Sequence, residues 1–315
     1  MQLYRIFDLV TKSELLLPET EPISQRQTAG VDVDISFGET SFDLTSHPKT
    51  QRLDGHGSYC FPEDGRFSFR SHGVELEVSG GARIVIASHK LAHHDTKLHT
   101  LLLGTAFGVL SMQRGHIPIH GAALEHDGGA IIITGYSGAG KSAILGALIE
   151  KGYRYLADDV SVVSLARGLP EVLPAYPQRK LSVDTAAELN CNIAGLPVIT
   201  EDCREKYVIR RTEEWFPQRL PLRTIVELTV KQGAEDLPPS AELIPARGRA
   251  GLEVVLRNLY RRFLYHDTGI APQTMKQILE ITAAAQVLQA IRPVSGFPPA
   301  ELAQQISQAV FDSGR

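Results

Sequence analysis

Cysteine is scarce in this chain: Cys60, Cys191 and Cys203 are an odd number, widely spaced and without a Cys-x-x-Cys pair. That excludes a disulfide framework and suits inert thiols in a reducing compartment. Charge of one sign is also lacking. A net charge of −4 and a pI near 6.3 argue against a broad nucleic-acid surface and for a specific small partner. No uninterrupted apolar run approaches a membrane span, and Met1–Asp8 lacks a charged region followed by a long apolar core. Neither a membrane anchor nor a secretory signal is expected, and the protein should be soluble and cytoplasmic. Internal repeats, low-complexity runs and an Asn-Lys-x-Asp guanine motif are absent too. The last of these disfavours a GTP switch.

The 315 residues have room for two medium domains. Up to about residue 90 the pattern is short and alternating, as in Val31-Asp32-Val33-Asp34-Ile35, Arg66-Phe67-Ser68-Phe69-Arg70, Val74-Glu75-Leu76-Glu77-Val78 and Arg83-Ile84-Val85-Ile86. Period-two alternation marks half-buried strands, so residues 1–95 read as a small, mostly antiparallel β domain. Asp95 reads as the N-cap of a helix through Leu98, Leu101, Leu102, Phe107 and Leu110, giving a linking helix over 96–115. Residues 116–315 then read as an α/β domain. In it, strands are expected near 117–124, 130–134, 153–159, 160–165 and 222–230. Leu252, Val255, Leu256, Leu259 and Phe263 mark one helix face, and further helices are expected at 273–290 and 299–312. The Pro-, Arg- and Glu-rich stretch 170–220 reads as loops, some lying over the active site.

The strongest signal is Gly135-Tyr136-Ser137-Gly138-Ala139-Gly140-Lys141-Ser142, directly after the apolar run Ala130–Thr134 and directly before a helix-forming run. This is a phosphate-binding loop (Walker A) in its strand-loop-helix context. Glycines let successive backbone N–H groups converge on one anion at a helix N-terminus. Lys141 reaches the β- and γ-phosphates, and the Ser142 hydroxyl is suited to ligate Mg²⁺. ATP with Mg²⁺, or Mn²⁺ in its place, is the expected cofactor. Asp158 and Asp159 end a strand about 18 positions after Lys141, enough chain for one helix and a return to the sheet beside the loop. One of Asp158 and Asp159 would hold the metal, and the other would accept a proton from an attacking hydroxyl; with Asp159 as the acceptor, Asp158 is the metal ligand. His89, His93, His94 and His99 have near-helical spacing but no carboxylate or thiol set nearby, so they read as ordinary histidines rather than a zinc site. The row Glu253, Arg257 and Arg261 reads as a solvated helix face with i,i+4 pairs.

His120-Gly121, the glycine loop and Leu156-Ala157-Asp158-Asp159, in that order and at those intervals, resemble the catalytic domain of the HPr kinase/phosphorylase family. The resemblance covers roughly 116–265 and implies a P-loop kinase core of the HPr kinase type. It makes Asp159 the base that deprotonates an acceptor serine, Lys141 a phosphate-stabilising residue, Ser142 a metal ligand and His120 a catalytic-site residue. Ile244-Pro245-Ala246-Arg247-Gly248-Arg249 resembles the family's arginine-bearing loop, which implies a charge-neutralising role for Arg249 or Arg247. The family's Glu-x-Arg-Gly metal-binding segment has no counterpart between 171 and 205, with Glu171, Glu188 and Glu201 as the substitutes on offer. Phosphorylation without efficient phosphorolysis is the expectation. The whole-chain layout is similar to the stand-alone kinases of lasso-peptide clusters, which implies the C-terminal serine of a ribosomally made precursor peptide as acceptor. A phosphocarrier protein, a small-molecule hydroxyl and a non-catalytic nucleotide switch are the alternatives. No nucleic-acid or membrane partner is expected, and a homo-oligomer is compatible with the sequence.

Overall fold

The computed structural model describes the chain except residues 42, 43, 45, 46, 48, 54–56, 62–64, 88–94, 190, 202, 203, 231–241, 266–268, 294–297 and 313–315. Cys203 and His89, His93 and His94 therefore lie outside the described residues. Two compact units are formed, Met1–His116 and Ile117–Arg315. Among the described residues, no helix is long and apolar enough to cross a membrane.

The alternating segments of the first unit become strands: β1 (Gln2–Ile6), β2 (Leu9–Ser13), β3 (Val33–Phe37), β4 (Gln51–Leu53), β5 (Gly57–Cys60), β6 (Phe67–Ser71), β7 (Val74–Ser79) and β8 (Arg83–Ile86). They form one sheet in the order β1-β2-β3-β8-β7-β6-β5-β4. The joints β2/β3 and β3/β8 are parallel and the rest antiparallel. Period two puts Val74, Leu76 and Val78 on the buried face, where Leu76 meets Ile86 and Val78 meets Ile84 across the β7/β8 ladder. Asp95 caps the following helix as its sequence suggests, accepting from the Lys97 N–H at 2.8 Å. The run is α1 (Thr96–Leu101), a π-helical turn (Leu102–Ala106) and α2 (Phe107–Gln113), and it packs on β7 within this unit. His99 on α1 is buried and its Nδ1 lies 2.9 Å from Glu19, so the imidazole has a polar contact within this unit.

The second unit is mixed α/β. Its strands are β9 (Ile117–His126), β10 (Gly129–Gly135), β11 (Tyr155–Ala157), β12 (Val160–Ser164), β13 (Glu171–Leu173), β14 (Arg179–Ser182), β15 (Val198–Glu201), β16 (Arg204–Ile209), β17 (Leu220–Val230), β18 (Glu242–Pro245) and β19 (Gln286–Arg292). Its helices are α3 (Lys141–Glu150), α4 (Val183–Glu188), α5 (Arg249–Arg257), α6 (Pro272–Ala284) and α7 (Pro299–Asp312). The main sheet runs β10-β9-β12-β13-β17-β19-β18, and β10 also pairs with β17 in parallel. Strands β9, β12, β13, β17 and β10 thus form a closed ring of ladders. Ala130–Ile133 of β10 are completely buried, with Val226 and Leu228 of β17 on one side and Ile144, Leu145 and Leu148 of α3 packed over them. Leu302, Ala303 and Ile306 of α7 complete that layer.

Three expectations are corrected. Residues 286–292 are not the end of a helix but strand β19, whose parallel ladder with β17 outweighs local helix preference. The stretch 170–220 is not mainly loop: β14, β16 and β15 form a separate antiparallel sheet joined to α4. Helix α5 stops at Arg257 instead of running to Phe263, because the chain is captured by β9. His120 N–H donates to the Asn258 carbonyl at 2.8 Å, Leu259 bridges Ile119, and Tyr260 N–H donates to the Pro118 carbonyl at 2.9 Å. Arg257 accordingly leaves the expected Glu253 row for buried Glu227 on β17.

Glu227 is 5% exposed and accepts from Arg257 Nε at 2.6 Å, Asn258 Nδ2 at 2.8 Å and Gln289 Nε2 at 2.9 Å. Burial alone would raise its pKa, but these hydrogen bonds outweigh burial and hold the carboxyl below its usual range. The cluster ties α5 and β19 to the centre of the sheet and anchors Asn258, which in turn holds His120. Glu227→Ala takes the acceptor away from buried Asn258 and from Arg257, whose side chain is 40% exposed and rehydrates, so the expected cost is about 1–3 kcal/mol in chemical denaturation. The sign with pH follows from the depressed pKa. The stabilisation is complete above the unfolded carboxylate pKa of about 4.3 and is lost as pH falls through the folded value. Equal stability of wild type and Glu227→Ala at neutral pH would contradict this.

Candidate functional site

The glycine loop leaves the C-terminal end of β10 and enters α3, whose N-cap is Gly140 in the left-handed conformation with φ 101°. Gly135 has φ 139°, and a Cβ there would lie 2.6 Å from the Leu228 carbonyl oxygen. Only glycine lets the loop depart at this point without pushing β17 away. Lys141 Nζ donates back to the carbonyls of Gly135 at 2.8 Å and Tyr136 at 3.2 Å. The ammonium is thereby held over the loop's own backbone. Arg292, the last residue of β19, donates from Nε to the Ala139 carbonyl at 2.9 Å and braces the loop from the neighbouring strand. Tyr136, Ser137 and Gly138 are exposed, Ala139 is buried, and Ser142 is half-buried at the start of α3.

Strand β11 ends at Ala157, and the next two residues turn into β12 carrying both carboxylates. Asp158 Oδ2 accepts from the Lys180 backbone N–H at 2.7 Å. Its Oδ1 is shut off from solvent with no hydrogen-bond partner among the described residues. Asp159 lies between an imidazole and an ammonium, with Oδ1 3.5 Å from His120 Nδ1 and Oδ2 3.8 Å from Lys180 Nζ. The Asp159 carbonyl accepts the Gly121 N–H at 3.0 Å, and a Cβ on Gly121 would lie 2.6 Å from the Ile133 carbonyl oxygen. The His-Gly pair is thus explained: the glycine permits close approach of β9 to β10, and the histidine is carried to Asp159. Thr134, just before the loop, fixes His120 from the other side by donating its hydroxyl to the His120 carbonyl at 2.7 Å.

Burial and charge separate the ionisation of these groups. Burial, offset in part by Asp159 and reinforced by Lys206, brings Lys141 down to about 8. Burial together with the Asp159 charge pushes Asp158 up to about 6. For Asp159 burial acts upward, but Lys180, His120, Lys206 and Lys141 together overcome it and hold the carboxyl well below its usual range. His120 is lowered, chiefly by burial, with Asp159 opposing and Lys141, Lys206 and Arg261 assisting. At neutral pH the site therefore presents an ionised Asp159, a neutral imidazole and an ammonium at Lys141.

The structure brings together His120, Lys141, Asp158 and Asp159, four residues singled out from sequence. Arg249 stands apart from them: its side chain is 91% exposed and pairs with Glu253 at 2.7 Å. Arg247 is exposed as well. Sequence reading missed Lys180, Lys206, Arg261 and Arg292. The first two lie in the stretch read as loop, where the aromatic and β-branched run Tyr207-Val208-Ile209 was the available strand signal. Among the described residues no group of three or more His, Cys, Asp or Glu could hold a metal by itself. The donors present are oxygens, the Ser142 hydroxyl and the orphaned Asp158 Oδ1. They fit a hard cation such as Mg²⁺ that arrives with, and is mostly ligated by, nucleotide phosphates.

The arrangement is a strand-loop-helix glycine turn with an aspartate-histidine pair at its edge, the kind of geometry that suits phosphate groups at a helix N-terminus. No protein-family model matches the chain. The chain is 29% identical over 175 residues to the HPr kinase/phosphorylase of Bordetella pertussis, a match covering 53% of this chain and 54% of that protein. It is 35% identical over 109 residues to the HPr kinase/phosphorylase of Chlorobaculum tepidum, covering 35% and 28% respectively. Among solved structures, the Hpr(Ser) kinase/phosphatase from Coxiella burnetii is similar with a TM-score of 0.32 at 13% identity, over 63% of this chain and 99% of that one. By sequence, then, HPr kinase/phosphorylases are the proteins that this chain resembles. The chain spans about half the length of the curated Bordetella relatives it matches.

Proposed function

We propose that the protein is an ATP-dependent kinase that transfers the γ-phosphoryl group to a serine hydroxyl of a peptide or small protein. The observation that carries this reading is the meeting of two sets of residues. Lys141 on a glycine loop at a helix N-terminus shares its electrostatic environment with the Asp159-His120 pair. Phosphoryl transfer needs little covalent help from the protein and depends on positioning and charge neutralisation. Loop N–H groups and Lys141 would hold the β- and γ-phosphates, and Ser142 with Asp158 would hold Mg²⁺, which when bound neutralises phosphate charge. Asp159 would accept the acceptor's proton, and His120 would orient that carboxylate through Oδ1. Drawing Lys141 from Asp159 toward the phosphates raises the basicity of Asp159, since Lys141 is one of the cations that depress it.

For the acceptor, the C-terminal serine of a ribosomally made precursor peptide is the specific proposal, in a cytoplasmic setting. The curated relatives are named for HPr, and a phosphocarrier is the competing protein acceptor. Incubation of the full chain with Mg-ATP and the peptide encoded beside its gene should add one phosphoryl group to a serine, read by mass spectrometry. Nucleotide binding with no transfer to peptide, phosphocarrier or water would overturn the kinase reading.

A further inference from the structure

The parallel ladders fix where Arg292 stands. Gly135 of β10 is level with Leu228 of β17, and Leu228 is level with Ala290 of β19. Arg292 lies two residues farther along its strand, level with the loop that follows Gly135 and past the end of β10. Alternate residues of a strand share a face, and Leu288 and Ala290 belong to the core under α3 together with Ile144 and Leu145. Arg292 is the next residue on that face, so its side chain leaves the core beside the N-terminus of α3.

There the guanidinium is held on three sides. Nε donates to the Ala139 carbonyl at 2.9 Å, Nη1 donates to the Pro293 carbonyl at 3.0 Å, and Nη2 lies 3.5 Å from the Gly138 carbonyl oxygen. A Cβ on Gly140 would lie 3.5 Å from Nη2, which puts the planar group against the last turn of the loop. In a trans peptide the carbonyl and the following N–H point in opposite directions. Turning the Ala139 carbonyl to Arg292 therefore turns the Gly140 N–H away from it, and among the described residues that N–H has no hydrogen-bond partner. The Gly140 carbonyl is meanwhile taken by the Ile144 N–H at 3.0 Å.

We propose that Arg292 is a positioning residue for the nucleotide: it sets the peptide between Ala139 and Gly140 so that the Gly140 N–H is presented to a phosphate. It acts through the loop and does not touch the phosphate itself. The inference rests on the nucleotide-binding part of the kinase reading and adds the residue that keeps the loop in its anion-binding form. A loop with Gly138 at φ 86° and Gly140 at φ 101° has many conformations open to it, and any that turns a carbonyl to the anion weakens binding. Lys141 steadies only the start of the loop, through the Gly135 and Tyr136 carbonyls. The end of the loop is left to Arg292, whose planar fork offers several donors in fixed directions at once.

The test uses the full chain, nitrogen-15 labelled, with Mg-ADP as the probe. Calorimetry gives the affinity, and NMR follows the Gly140 amide. Arg292→Gln should weaken Mg-ADP binding at least about tenfold, the scale of a lost hydrogen bond to a charged group, and should shrink the Gly140 shift seen at saturating Mg-ADP. Arg292→Lys, which keeps the charge and one donor direction, should fall between wild type and Arg292→Gln. Thermal melting reports the fold of each variant. A role confined to fold stability would lower the melting temperature and leave both the affinity and the Gly140 shift of the folded variant as in wild type, and that result overturns the proposal. The wild-type spectrum needs no variant: Mg-ADP bound with no response at Gly140 also overturns it. Wild-type chain that binds no Mg-ADP would instead remove the kinase reading on which the inference stands.

Discussion

Asp159→Asn should lower phosphoryl transfer by roughly 10²–10⁴-fold, the range for loss of a general base, while nucleotide affinity stays within a few-fold of wild type. The amide keeps the size of the side chain and can still face His120 and Lys180, but it cannot take up the acceptor's proton. Asp159 sits 3.5 Å from His120 and 3.8 Å from Lys180, so part of the loss will be electrostatic: the Lys180 ammonium loses the charge it faces. Measuring kcat and KM separately distinguishes the two contributions. Loss of the base falls on kcat, whereas a cleft with excess positive charge changes KM for anionic substrates. The companion variant Asp158→Asn decides between the neighbours. Asp158, pushed up to about 6, is intrinsically the more basic carboxylate, but its Oδ2 is tied to the Lys180 backbone. Transfer near the wild-type rate in Asp159→Asn, with collapse in Asp158→Asn, would move the proton acceptor to Asp158.

Lys141→Ala should cost on the order of 10³-fold in kcat/KM, the effect of removing a charged group that stabilises phosphoryl-transfer charge. The fold should survive, because the ammonium's hydrogen bonds go to two loop carbonyls, while Ile144, Leu145 and Leu148 carry the packing of α3 on the core. Arg292 continues to brace the loop through Ala139. Lys141→Arg is a useful comparison: it retains charge but cannot reproduce both short contacts to Gly135 and Tyr136 within the same turn. With Lys141 brought down to about 8, wild-type activity should also fall as pH rises through that value. The sign follows from the protonated ammonium being the active form. Full activity in Lys141→Ala, with unaltered nucleotide affinity, would remove the loop from the chemistry.

Much of the site was legible in one dimension because its signals are local. The loop needs glycines at fixed spacing after an apolar strand, and Gly135 and Gly140 do adopt conformations that other residues resist. Asp158-Asp159 and His120-Gly121 were legible from order and interval alone. The glycine at 121 and the carbonyl of Asp159 then proved to be hydrogen-bonded to each other across the sheet. The helical run after Asp95 was equally local, being set by a cap and a 3.6-residue apolar period.

The rest depended on pairing between distant segments. Gln286–Arg292 has no strong local preference for extended structure, and it becomes a strand because β17 offers it a full parallel ladder. The end of α5 is set by β9, which captures Asn258, Leu259 and Tyr260 and leaves the Arg261 guanidinium over the Tyr260 ring. Lys180 and Lys206 are 26 positions apart with nothing in their spacing to link them, and they become neighbours only through the β14/β16 register. The sequence by itself determined the anion-binding loop, the aspartate pair and the histidine, because backbone conformation and strand-loop-helix order are encoded in adjacent residues. Only the tertiary structure decided which cations surround Asp159, because long-range strand pairing brings those charges into one half-buried cleft where water screens them weakly.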